Sequence, residues 1–143
     1  MAISKNKRKK VHEKFDGHCA YCGEELEYED MHIDHIVPKN TFKVRILNKF
    51  RIPVFLLHLT EHDMDHIDNL FPACRMDNRF KSSFDLELFK LELQYQLGRA
   101  KKYSTNYRFA LKYNQVVETP YPIIFYFEMH KQYCAEGYIP IDE

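Results

Sequence analysis

Apolar positions along this chain repeat in two different periods, and each period predicts an element. Between Lys5 and Phe15, Val11 and Phe15 stand four apart on a helical repeat, and Asp16-Gly17 supplies a stop. Met31 to Val37 reads MHIDHIV, whose alternation is that of a strand ending before Pro38. From Phe84 to Arg99, Leu86, Phe89, Leu93 and Leu97 form a helical stripe, and the Leu, Glu, Lys and Gln content favours a helix over a strand. Ser82 and Asp85 suit a capping box ahead of it, so a shorter helix from about Arg75 should end at this break.

The stretch from Lys39 to Asp68 mixes basic and apolar residues and predicts an insertion with one or two short helices. The tail reads as strand: Val116-Val117, then Pro120 and Pro122 as punctuation, then the apolar run Ile123 to Phe127. At 143 residues and 45% hydrophobic content the chain suits one domain, 1–143, with a core at about 11–90 and an extension at about 100–143.

Net charge is zero, so no global field announces a nucleic-acid partner, and binding would need local basic patches. Lys5, Lys7, Arg8, Lys9 and Lys10 form one such run, equally readable as a solvated helix face. Lys39, Lys43, Arg45, Lys49 and Arg51 form another in the insertion, spaced like a helix face with Phe42 and Phe50 inside, and are expected to contact phosphates. No run reaches the ~18 apolar residues of a membrane span, and the start carries no apolar signal core. A cytoplasmic protein with no membrane partner is the expectation.

Candidate chemistry begins at Cys19-Ala-Tyr-Cys22-Gly23, whose two-residue gap lets both thiolates reach one tetrahedral zinc while Gly23 permits the tight turn. A redox pair is the competing reading, but that motif opens a helix after a strand, whereas this one lies between a helix and a strand. Cys74-Arg-Met-Asp77 offers a second pair with a carboxylate in the fourth position. The plainer alternatives are Cys74 as apolar filler and Asp77 as a helix cap. Asp34 and His35 are adjacent on the predicted strand, so a bend before Pro38 is needed for both to face one ion. His32, His58, His62 and His66 have no paired ligand motif and read as surface residues.

Taken together, Cys19-Ala-Tyr-Cys22, Ile33-Asp34-His35-Ile36-Val37-Pro38, Asp68-Asn69-Leu70 and Cys74-Arg-Met-Asp77-Asn78-Arg-Phe-Lys81 resemble the HNH endonuclease family in order and spacing. The resemblance implies an α+β fold with a ββα-metal core, and a metal-dependent hydrolase that cuts phosphodiester bonds, in DNA. It implies Asp34 and Asn78 as ligands to a catalytic magnesium or manganese ion, His35 as the general base on water, and Asn69 as the group that fixes its ring. Lys81 and Arg79 would contact substrate phosphates. Cys19, Cys22, Cys74 and Asp77 would hold a structural zinc.

Two features depart from the family pattern: Asp77 stands where a fourth Cys is usual, and the interval between His35 and Asn69 is longer than in minimal members. Asp77 could itself ligate zinc, His18 or Cys134 could replace it, or packing alone could hold the turn. The alternative function is a zinc-stabilised nucleic-acid-binding module that does not cut; a dithiol redox or scaffold protein is a third.

Overall fold

The computed structural model describes residues 3–133. Helix α1 (Lys5–Glu13) opens it, with Ser4 as N-cap accepting from the Lys7 amide and with Val11 buried. Phe15 is also buried, one turn on, where the chain leaves the helix. Asp16 and Gly17 both take positive φ, which ends the helix as the sequence predicts.

Strands β1 (His32–His35) and β2 (Leu70–Ala73) pair antiparallel, with His32 opposite Ala73, Asp34 opposite Phe71 and His35 opposite Leu70. A two-stranded sheet is marginal alone. Here α1 packs against β2, and α3 (Arg75–Lys81) against β1, so all four β2 residues are buried despite Pro72. Burying a ring such as Phe71 contributes about 1.5–3 kcal/mol. The insertion holds α2 (Phe42–Asn48) and short 3₁₀ turns. The mixture of helix and a small sheet is the α+β class expected from the pattern.

Three expectations are corrected. The long helix is two, α4 (Leu86–Gln94) and α5 (Gln96–Tyr103), because Tyr95 leaves the helical region at ψ 1°. Asp85 itself caps α4, accepting from the Leu88 amide, while Ser82 has φ 46° and only ends α3. After α6 (Thr105–Lys112) the tail forms no strand among the described residues, and Tyr126–Met129 is a 3₁₀ turn.

The apolar run Ile123 to Phe127 has a different cause. Phe125 and Phe127 are both buried, and the amides of Tyr126 and Phe127 donate to the carbonyls of Tyr21 and Ala20 at 2.9 and 2.8 Å. That is a local clasp on the cysteine turn, too short to form a ladder. Between the two buried rings, Tyr126 lies across Gly23, where a Cβ would meet its ring at 2.7 Å. Gly23 also has φ +78°, so both the turn and the tail require glycine there. Cys134, considered above as a substitute ligand, lies outside the described residues.

Candidate functional site

The four cysteine-turn residues converge. The ligand atoms of Cys19, Cys22, Cys74 and Asp77 all lie within 4.8 Å of one another, a group that could hold a metal ion. Cys22 Sγ and Cys74 Sγ are 4.0 Å apart, and Cys19 Sγ is 3.3 Å from Asp77 Oδ2. A tetrahedral ion with bonds of ~2.3 Å to sulfur sets its ligands roughly 3.8 Å apart, so the spacing fits one cation and is too long for a disulfide.

Backbone amides surround the sulfurs. Cys74 N–H points at Cys19 Sγ and Asp77 N–H at Cys74 Sγ, both at 3.4 Å. Cys74 is therefore the N-cap of α3, and Asp77 turns its carboxylate toward Cys19 instead of capping the helix. Burial pushes the Cys74 thiol up to about 12, so without a cation this sulfur keeps its proton. His18 is not part of this group, and its Nδ1 lies 3.0 Å from the Phe15 carbonyl.

Next to this cluster, Asp34, His35 and Asn78 line one open cleft of about 390 Å³, with Lys39, Asn40 and Ser82 at its rim. Strand pairing is regular through His35, so no bulge accounts for the meeting of Asp34 and His35. They share the cleft because β1 ends there.

Asp34 is buried, and its partners were not anticipated. The Tyr21 hydroxyl donates to Oδ2, and Lys81 Nζ lies 3.2 Å from Oδ1 and 3.1 Å from Oδ2. Burial pushes the Asp34 carboxyl up, against the pull of Lys81 and Tyr21. Burial and the neighbouring Asp34 charge also hold Tyr21 well above the ordinary phenol value, which keeps it a donor. Tyr21, the second residue between Cys19 and Cys22, meets Phe89 and Phe125 edge-on at 5.2 Å each.

Lys81 thus corrects the expectation of a phosphate contact. It is wholly buried and also donates to the His35 carbonyl at 3.1 Å, so its ammonium serves the interior. Arg45 is corrected likewise: it pairs with buried Asp85 at 3.1 Å. Phe50, expected inside, is 56% exposed between the guanidinium groups of Arg45 and Arg51. Lys39, Lys43 and Arg79 are exposed, with Lys43 3.5 Å from Glu61. In the N-terminal run, Lys7 and Arg8 are tied to backbone carbonyls at 2.7 to 2.8 Å.

His35 Nε2 lies 2.7 Å from Asp65 Oδ1. The hydrogen bond from His35 is the largest influence holding the Asp65 carboxyl below the usual range. An ionised Asp65 assigns the Nε2–H tautomer and leaves Nδ1 as the ring's basic nitrogen. Asp65 was unreadable from sequence because it stands thirty residues from His35.

Asn69 does not touch the His35 ring. Its buried amide accepts from Val37 N at 2.9 Å, and donates to Val37 O at 3.3 Å and Met64 O at 2.9 Å. It therefore clamps the residue two after His35 and the residue before Asp65. His58, His62 and His66 sit on the surface beside Asp68 or Glu61.

No protein-family profile matches this chain. No curated protein matches it either. A match among solved structures is the crystal structure of the Type II-C Cas9 enzyme from Actinomyces naeslundii, at 17% identity and TM-score 0.44, covering 98% of this chain and 14% of that one. This chain spans 14% of that protein's length. No helix among the described residues is long and apolar enough to cross a membrane.

Proposed function

We propose that this protein is a metal-dependent HNH endonuclease that hydrolyses phosphodiester bonds in DNA. The observation that carries the reading is His35, paired through Nε2 to Asp65, in an open cleft it shares with Asp34 and Asn78.

His35 Nδ1 takes the proton of the attacking water, and Asp65 stabilises the imidazolium that forms. A carboxylate oxygen of Asp34 and the amide oxygen of Asn78 are donors that suit a hard ion such as magnesium or manganese. When bound, that ion supplies charge stabilisation at the phosphate and the leaving oxygen. Asp34 can serve it while keeping Lys81, because a carboxylate offers about four lone-pair sites. Asn69 positions the segment that follows the base and the residue that precedes its Asp65 partner. Zinc at the Cys19, Cys22, Cys74 and Asp77 cluster fixes the start of α3, and with it Asn78.

The test is cleavage of supercoiled plasmid, with RNA in parallel, across several divalent ions. Cutting is expected with magnesium or manganese and is lost in His35→Ala; a mutant that cuts at the wild-type rate removes His35 from the chemistry.

One observation favours a second reading, a nucleic-acid-binding module without cleavage: the Lys81 ammonium already neutralises Asp34. Tight DNA binding with no cutting in magnesium, manganese or nickel would select it.

A further inference from the structure

On the side of α3 away from β1 lies an open groove of about 650 Å³, lined by Arg75, Met76, Asp77, Arg79, Phe80, Leu93 and Gln96. Met76 is 82% exposed and Phe80 37%, while Phe80 rests against buried Phe89 with ring centroids 6.2 Å apart. One part of that ring is fixed by the core and the rest is offered to the groove.

Position around the helix relates this groove to the cleft. At roughly 100° per residue, Asn78 and Ser82 share one row, Arg75 and Arg79 form the next, and Met76 and Phe80 the one beyond. Asn78 and Ser82 line the cleft that holds His35. A chain crossing α3 from the cleft therefore meets two guanidinium groups, then an aromatic and a thioether side chain.

The arginines are also free to act. Arg45 and Arg51 are paired with Asp85, Arg99 with Glu92, and Arg108 caps backbone carbonyls. Arg75 and Arg79 form no ion pair among the described residues and stay exposed, and Asp77, the acid in the same groove, turns its carboxylate to Cys19. Cations beside an aromatic surface match the charge and stacking of a single nucleic-acid strand. A duplex keeps its bases stacked inside and has nothing to place in an apolar groove.

We propose that this groove binds an unpaired nucleotide next to the scissile phosphate. Arg75 and Arg79 hold the intervening phosphates, Phe80 and Met76 stack on the base, and the Gln96 amide meets its edge. The preferred substrate is then single-stranded DNA, or a duplex with an unpaired nucleotide at the cut. This deepens the nuclease reading and rests on it for the word scissile, though the groove's binding is measurable without cleavage.

The experiment uses the full chain carrying His35→Ala. Fluorescence anisotropy compares a single-stranded oligonucleotide, a matched duplex, and the duplex with one unpaired 2-aminopurine. The single strand and the interrupted duplex should bind more tightly than the matched duplex, with 2-aminopurine quenched. Phe80→Leu should weaken them by about 5-fold or more, up to about 160-fold, the range for loss of one stacked base. Met76→Ala, at a site too exposed to affect folding, should weaken them in the same direction. Arg75→Gln with Arg79→Gln should flatten the salt dependence.

Equal affinity for all three oligonucleotides, or Met76→Ala and Phe80→Leu variants that bind like the parent, overturns the proposal. So does a concentration-dependent dimer that Met76→Asp abolishes without changing oligonucleotide affinity. If wild-type protein cuts nothing while the groove variants still lose binding, the nuclease reading fails and the groove stands; cutting with inert groove variants gives the reverse.

Discussion

Asp65 Oδ1 stands 2.7 Å from His35 Nε2, so a residue of the insertion supplies the partner of the proposed base. The longer interval between His35 and Asn69 is the segment that carries this carboxylate.

Asp65→Ala frees the ring to rotate and to exchange tautomers. A decrease in kcat of about 100-fold is expected, the scale for misplacing a reacting group by ~1 Å. KM for the same oligonucleotide should change little. Steady-state kinetics check this, and an unchanged kcat sinks the role.

The same pair has an acid signature. The folded value of Asp65 lies below its ordinary 3.8, so the stabilisation is present above that pH and is lost as pH falls through the lower, folded value. Asp65→Asn should be less stable than wild type at pH 7, and the gap should narrow below about pH 4. Urea midpoints at pH 7 and pH 3 measure it; a constant gap refutes the linkage.

Lys81→Met removes the ammonium paired with buried Asp34 and should cost about 3–5 kcal/mol of stability. An exposed, phosphate-contacting lysine would cost next to nothing on the same change. Urea denaturation without any nucleic acid separates the two.

At the cysteine cluster, elemental analysis should find about one zinc per chain, lost in Asp77→Ala and kept in Asp77→Cys. Chelation should lower Tm by about 10 °C or more, equivalent to roughly 3 kcal/mol. Metal-free protein with an unchanged melting curve would mean that packing alone holds the turn.

Phe125→Ala opens a cavity against Tyr21 and Phe89 and should cost about 3–5 kcal/mol. A cost under ~1 kcal/mol would show that the tail is not part of the core.

What could be read in advance was whatever is local. The gap between Cys19 and Cys22 and that between Cys74 and Asp77 each fit a single turn, so spacing offered all four as candidates, and the fold brings Asp77 to the three sulfurs. The β1 alternation likewise placed Asp34 and His35. Asp65 and Tyr21 were missed because the contacts that define them close loops of thirty and thirteen residues, and no local period marks either. Lys81 was misread because a lysine is solvated by default, and only the neighbouring buried carboxylate reverses that. The tail forms no strand because an apolar run reports which side chains seek burial and says nothing of a ladder partner.

Helix α3 spans only Arg75–Lys81, yet Asp77 belongs to the cysteine cluster, Asn78 to the cleft, Lys81 to the interior and Phe80 to the groove. Its seven residues leave almost no position without a duty. Evolution can therefore retune the surface of this protein through the insertion or the tail, but inserting or deleting one residue in α3 would move every one of these groups out of register at once.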